Sequence, residues 1–142
     1  MNTLTIEGPT ATPPVITIDG ANKYQVMVVN SGAMLNADYL TITHGFSSNA
    51  EGGGIQSDGS LNVTNSTLSG NSATDQGQGG AISAGAGALS VTNSSFAANT
   101  AGQGGAIFNN EDTLTVTKSN FSDNSATNSA AEAPYTARTT VH

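Results

Sequence analysis

Apolar residues recur at fixed places along this chain, and two stretches are near copies of each other. Gly79-Gly80-Ala81-Ile82, Leu89-Ser90-Val91-Thr92-Asn93-Ser94 and Phe96-Ala97-Ala98-Asn99 return 25 positions later as Gly104-Gly105-Ala106-Ile107, Leu114-Thr115-Val116-Thr117-Lys118-Ser119 and Phe121-Ser122-Asp123-Asn124. A looser copy precedes them at an offset of 27 or 28: Gly52-Gly53-Gly54-Ile55, Leu61-Asn62-Val63-Thr64-Asn65-Ser66, Leu68-Ser69-Gly70-Asn71. Within each copy the pattern alternates. Leu61 and Val63, Leu89 and Val91, Leu114 and Val116 share one side; Asn62 and Thr64, Ser90 and Thr92, Thr115 and Thr117 share the other. That is the period-two signature of a strand. Gly, Asn and Ser interrupt the segments too often for helices. Each unit holds three strand candidates, around Ile82, Leu89–Val91 and Phe96 in the middle copy. A unit this small cannot bury its own apolar face and must stack on its neighbours. The pattern predicts an all-β, right-handed, three-sided parallel β-helix (a solenoid), with equivalent strands about 4.8 Å apart in successive coils.

The register extends toward the start of the chain. Stepping back 28 from Ile55, Val63 and Leu68 lands on Met27, Leu35 and Leu40, all apolar, so residues 24–45 read as another coil. Phe46-Ser47-Ser48-Asn49 offers a competing match to the Phe-x-x-Asn element. Residues 4–20, with Leu4-Thr5-Ile6 and Val15 to Gly20, read as a partial first coil. About five coils of 25–28 residues are expected over residues 1–127, a rod on the order of 20–25 Å long. Residues 128–142 show no repeat register and read as a tail or cap.

Each recurring residue has a structural role in that cross-section. Glycine pairs permit positive φ and close packing at a corner, and Ala81 and Ala106 keep it tight. Leu, Val, Ile and Phe fill the interior. Asn71, Asn99 and Asn124 fall in register and are expected to bond coil to coil as an amide ladder.

These same elements resemble the polymorphic outer-membrane proteins of chlamydiae, a family marked by repeated Gly-Gly-Ala-Ile and Phe-x-x-Asn motifs. The matching residues are Gly79–Ile82, Gly104–Ile107, Phe96–Asn99 and Phe121–Asn124, with looser versions at Gly52–Ile55 and Leu68–Asn71. The resemblance covers roughly residues 40–127 and extends to bacterial surface proteins with right-handed β-helix repeats. It implies a secreted or cell-surface passenger that adheres to host cells or neighbouring molecules. No signal peptide, membrane barrel or cysteine accompanies the motifs in these 142 residues.

Composition narrows the partners. Net charge is −7, and Lys23, Lys118 and Arg138 are the only basic residues. A nucleic-acid ligand is disfavoured because neutralising phosphates requires clustered Lys and Arg; an anionic membrane surface is disfavoured likewise. No apolar run approaches the roughly 20 residues of a spanning helix. Without cysteine there are no disulfides and no thiolate metal sites.

Candidate chemistry is sparse, and no catalytic, cofactor or metal residue is assigned. Asp58 and the Glu111-Asp112 pair follow Ile55 and Ile107 at nearly the same point of their coils. Two coils apart is about 10 Å, near the separation of an inverting carboxylate pair. The plainer reading, and the preferred one, is that these acids decorate solvated turns and keep an edge-rich protein soluble. His44 has no nearby second ligand for a metal, His142 is terminal, and the calcium-binding Gly-Gly-x-Gly-x-Asp nonapeptide is missing. Tyr39, placed with Thr67 and Ser95, and Phe108, next to inward Ile107, are the aromatics expected to face outward. Thr64, Thr92 and Thr117 form an outward column; its alternatives are simple β propensity and the threonine ladders of ice-binding solenoids. The candidate partner surface is therefore Tyr39, Thr64, Thr92, Thr117, Asp58, Phe108, Glu111 and Asp112.

The functional expectation is a non-enzymatic extracellular β-helix module of a bacterial surface protein, adhesin-like or structural, that presents turns and one strand face to a protein or glycan. Open terminal coils give the alternative, a filament subunit that stacks end to end. A carbohydrate-active β-helix enzyme is the third reading.

Overall fold

The computed structural model describes residues 2–48, 51–110, 113–128, 135–136 and 140–141. Every element is a strand. β1 (Asn2–Glu7) and β2 (Ile16–Asp19) come first. Four turns of four strands follow. The first turn is β3 (Met27–Val29), β4 (Ala33–Asp38), β5 (Leu40–Thr43) and β6 (Phe46–Ser47). The second is β7 (Ile55–Ser57), β8 (Ser60–Thr64), β9 (Thr67–Ser69) and β10 (Ser72–Ala73). The third is β11 (Ile82–Ala84), β12 (Leu89–Thr92), β13 (Ser95–Ala97) and β14 (Thr100–Ala101). The fourth is β15 (Ile107–Asn109), β16 (Leu114–Thr117), β17 (Asn120–Ser122) and β18 (Ser125–Ala126). β19 (Tyr135–Thr136) and β20 (Thr140–Val141) come last.

Equivalent strands pair in parallel and build four sheets: A, in the order β1-β4-β8-β12-β16-β20; B, β2-β5-β9-β13-β17; C, β3-β7-β11-β15-β19; and D, β6-β10-β14-β18. The chain is thus a parallel β-solenoid of four complete turns with a partial turn at each end. Sheets A, B and C are the three expected from the sequence. Sheet D is additional: after each buried asparagine two residues pair before the chain bends, and two residues are too short to show a period. Asn128 onward is not wholly out of register. Tyr135 pairs with Ile107 and Thr140 with Thr115, so the ladder runs on into this segment.

Stacked identical or similar side chains make the core. Leu35, Leu61, Leu89 and Leu114 form one column and Ala37, Val63, Val91 and Val116 the next. Met27, Ile55, Ile82 and Ile107 line sheet C. Ile42, Leu68, Phe96 and Phe121 line sheet B, where the two rings stack at 4.8 Å and 8°. Burying each such side chain stabilises the rod by roughly 1.5–3 kcal/mol. Met27 pairs with Ile55 as the sequence register expects, but β4 and β5 correct it by two residues: Leu35 pairs with Leu61 rather than Val63, and Ile42 rather than Leu40 pairs with Leu68. The spacing there is 26, as in the Gly45–Asn71 contact, not 28. A shift of two keeps every side chain on its own face, so Leu40 is still fully buried. It also resolves Phe46, which pairs with Ser72 in sheet D and is no equivalent of Phe96.

Three corners per turn take left-handed backbone. The columns are Gly52, Gly79, Gly104; Tyr39, Asn65, Asn93, Lys118; and His44, Gly70, Ala98, Asp123, all with φ between 46° and 68°. In Gly-Gly-Ala-Ile only the first glycine is bent this way. The second is required by contact: a Cβ on Gly80 would lie 2.1 Å from the Gly105 carbonyl oxygen. The expected asparagine ladder closes the interior. Gly45 N–H donates to Asn71 Oδ1 at 2.9 Å, Asn71 N–H to Asn99 Oδ1 at 3.0 Å, and Asn99 N–H to Asn124 Oδ1 at 3.0 Å. Each Nδ2 also reaches back to a strand carbonyl, of Ile42, Leu68 or Phe96.

Candidate functional site

Sheets A and B meet at a corner that carries a second, outward ladder. The local sequence Val-Thr-Asn-Ser explains it. Threonine ends the sheet A strand facing out, asparagine takes the left-handed corner that its short polar side chain tolerates, and serine turns inward. Ser66 and Ser94 are buried. The Ser66, Ser94 and Ser119 hydroxyls donate to the carbonyls of Thr64, Thr92 and Thr117 at 2.6, 2.9 and 2.9 Å. Each also accepts a backbone N–H from the turn before: Leu40, Ser66 and Ser94, all at 3.1 Å. The corner is therefore rigid. Outside it, Asn65 Nδ2 donates to Asp38 Oδ1 at 2.9 Å, and Asn93 Nδ2 to Asn65 Oδ1 at 2.6 Å. Lys118 continues the same column.

This corner has hydroxyl columns on both sides. On sheet A, Asp38, Thr64, Thr92 and Thr117 align, with Asn36, Asn62, Ser90 and Thr115 beside them. On sheet B, Thr17, Thr41, Thr67, Ser95 and Asn120 align. The segment between β1 and β2 lies over the corner. Thr12, Pro13 and Pro14 form one wall of an open groove of about 280 Å³, and Thr67, Asn93, Ser95 and Lys118 line the other. A groove of this kind offers hydroxyl, amide and ammonium groups to a polar ligand.

The expected surface residues divide between places. Thr64, Thr92 and Thr117 form the predicted column, half-buried on sheet A. Tyr39 adjoins them but sits in the left-handed corner with Asn65 and Asn93, not with Thr67 and Ser95; the two-residue register shift moves it there. Asp58 and Phe108 belong to the side of sheet C. Asp58 follows β7, and Gln56 Nε2 lies 3.4 Å from its Oδ2 and 2.5 Å from Glu51 Oε2. Phe108 pairs with Ser83 at the far end of that sheet, so Tyr39 and Phe108 do not form one patch. Asn110 takes the place equivalent to Asp58, bonding to the Ala84 carbonyl as Gly85 does to that of Ser57. Glu111 and Asp112 lie outside the described residues, as do Asn49, Glu132 and His142.

His44 Nδ1 meets Asp19 Oδ2 at 3.3 Å on the exposed His44–Gly70 corner. The Ala21 backbone N–H, 2.7 Å from Asp19 Oδ1, and then His44 hold the Asp19 carboxyl below its ordinary value. Among the described residues, no group of three or more His, Asp or Glu side chains is placed to hold a metal ion. Sequence reasoning missed the Ser66–Ser94–Ser119 ladder, although one serine recurs at the same place in all three copies. It also missed the groove, because the Thr12–Pro14 segment carries no repeat to reveal where it packs. Comparison of the chain with protein-family models, with curated proteins and with solved structures finds no match.

Proposed function

We propose that this chain is a non-enzymatic β-solenoid module of a bacterial surface protein, adhesin-like or structural, whose role is to present a fixed polar surface to a protein or glycan. The observation that supports this reading is the corner between sheets A and B. Its outward amides are held by one another and its hydroxyls stand at coil spacing, so the surface is ordered before any partner arrives. Preorganisation of this kind lowers the entropy lost on binding. The rod supplies stiffness; the Thr12–Pro14 groove supplies a concave contact with Lys118 as its one cation. Neutral, hydroxyl-rich partners fit such a lining better than anionic ones, because the chain as a whole carries −7.

The test is binding of labelled protein to arrayed glycans and to cell surfaces, with Thr67→Arg as the probe variant. Thr67 points outward in the groove, so arginine fills the groove without touching the interior. Retention should fall at least tenfold with an unchanged melting curve. Equal retention by parent and variant removes the groove from the proposal. Turnover of any member of a polysaccharide panel, lost in Asp112→Ala, replaces the non-enzymatic reading with the carbohydrate-active one.

A further inference from the structure

The corner between sheets A and B carries a second sequence pattern. Of fifteen asparagines in the chain, four stand in Asn-x-Ser/Thr order: Asn62-Val63-Thr64, Asn65-Ser66-Thr67, Asn93-Ser94-Ser95 and Asn120-Phe121-Ser122. That order is the acceptor signature for an N-linked sugar where it lies on a surface. The asparagines of the inner ladder do not have it: Asn71, Asn99 and Asn124 each have alanine at the second place after them. All four that do have it lie on or beside the A–B corner. Asn62 faces out of β8, Asn65 and Asn93 take the left-handed corner, and Asn120 opens β17.

Attaching a sugar asks three things of the fold: a side chain in solvent, an amide N–H to spare, and the hydroxyl of the motif on the outer face. Asn93 meets all three. It is exposed, whereas Asn62 and Asn65 are half-buried. A side-chain amide has two N–H groups. Asn71 and Asn99 use both, one on a strand carbonyl and one on the next asparagine. Asn93 uses one, on Asn65 Oδ1 at 2.6 Å, and its other N–H has no acceptor among the described residues. A sugar replaces one amide hydrogen and leaves the second, so the outward ladder survives the attachment. Ser94 between them is turned inward, its hydroxyl donating to the Thr92 carbonyl and accepting Ser66 N–H. Asn93 and Ser95 therefore both face out, and both line the groove. Asn93 lies in the third of the four complete turns, with Asn65 and Lys118 on either side in its column, so its surroundings do not depend on either end of the rod.

We propose that Asn93 is a modification site, the acceptor of an N-linked sugar displayed at the A–B corner. In the transfer, Nδ2 bonds to the anomeric carbon of a sugar carried on a nucleoside or lipid diphosphate. The bond from that carbon to the diphosphate oxygen breaks, its electron pair leaves with the diphosphate, and one amide proton passes to a base of the transferase. The product is a secondary amide whose remaining N–H keeps Asn65 Oδ1. The sugar then stands beside Thr12–Pro14 and adds its hydroxyls to columns that already carry them. This inference uses the geometry of the corner and holds whether or not the groove takes a ligand.

The test is peptide mapping by mass spectrometry of the protein purified from the cells that make it. The peptide containing Asn93 should carry a hexose or N-acetylhexosamine increment, and fragmentation should place it on Asn93. Ser95→Ala, made in the same cells, should lose the increment although Asn93 is intact, and Ser95→Thr should regain it. Ser95 faces outward between Thr67 and Asn120, so both variants should keep the parent's melting curve. An unmodified Asn93 in the parent overturns the proposal. So does an increment placed on a serine oxygen instead, or one that stays on Asn93 in Ser95→Ala.

Discussion

Replacing Asn99 by leucine tests whether the inner amide ladder holds the turns together. Asn99 is fully buried. Its Oδ1 accepts the backbone N–H and the side-chain amide of Asn71, both at 3.0 Å. Its Nδ2 donates to the Leu68 carbonyl and to Asn124 Oδ1, both at 2.9 Å. Leucine has a similar branched outline and no polar atom, so it leaves the Asn71 N–H unpaired and takes one of two donors from the Leu68 carbonyl, which the ladder between β9 and β13 also uses. A buried orphan costs roughly 1–3 kcal/mol and a lost hydrogen bond about 0.5–1.5 kcal/mol, so together they cost about 1.5–4.5 kcal/mol. Asn71 Nδ2 keeps the Ile42 carbonyl, and Asn124 Oδ1 keeps the Asn99 N–H, so neither adds much. Burying leucine's methyl groups returns on the order of 1–2 kcal/mol, which leaves a net loss of about 1.5 kcal/mol. With a urea dependence of about 2 kcal/mol per molar, the midpoint should fall by about 0.75 M. Asn62→Leu is the control: its Nδ2 bonds Asn36 Oδ1 at 2.7 Å on a half-exposed face where water can substitute. It should change stability by less than about 1 kcal/mol. Circular dichroism and tyrosine fluorescence must give one coincident transition, since repeat arrays can unfold in parts. Equal midpoints for the two variants would refute the ladder argument.

Two further outcomes follow from the corners. Gly80→Ala places a Cβ 2.1 Å from the Gly105 carbonyl oxygen and 2.6 Å from the Thr100 nitrogen, whereas at Gly32, with φ of 77°, nothing lies within 4 Å. Gly32→Ala should cost only the left-handed penalty of about 1–2 kcal/mol, and Gly80→Ala clearly more in the same urea titration, because two backbones must separate; equal costs would argue against close approach as the reason for the second glycine. At the Asp19–His44 corner the folded carboxyl is held below its ordinary value, so its contribution is present above the unfolded pKa and is lost as pH falls through the folded one. Melting temperatures of parent and Asp19→Asn should therefore differ near neutrality and converge in acid below about pH 4, by a small amount because both side chains are exposed; a difference that persists at low pH would remove Asp19 ionisation as its cause.

The repeat made sheets A, B and C legible because their strands are long enough to alternate and their core residues recur as like on like. Sheet D was not legible: Ser72-Ala73 and Thr100-Ala101 show no period, and only the pairing partner identifies them. Register could be read wherever the motif was intact and at Met27, and it slipped by two over β4 and β5, where apolar residues at every second place fit equally well at 26 and 28. The same degeneracy put Tyr39 on a strand face instead of in a corner. The asparagine ladder was readable from spacing alone. The serine ladder had the same signal, yet serine is so abundant here that an aligned one does not stand out. The groove under Thr12–Pro14 depends on how a non-repeating segment folds back, which periodicity does not encode.

The left-handed corners separate what the fold demands from what it leaves free. At the corner between sheets A and B the backbone makes one requirement, φ near 50°, and the chain meets it with Tyr39, Asn65, Asn93 and Lys118 in turn. Asparagine answers the requirement cheaply; tyrosine and lysine each carry roughly 1–2 kcal/mol of strain there. The other outward corner does the same with His44, Gly70, Ala98 and Asp123. Within the core, by contrast, substitution between turns stays within Leu, Ile, Val, Met, Phe and Ala. An aromatic ring, two amides and an ammonium in a column whose structural requirement never changes are not explained by stacking. Asn65, Asn93 and Lys118 of this column line the groove, which favours that corner over the rest of the rod as the proposed presenting surface.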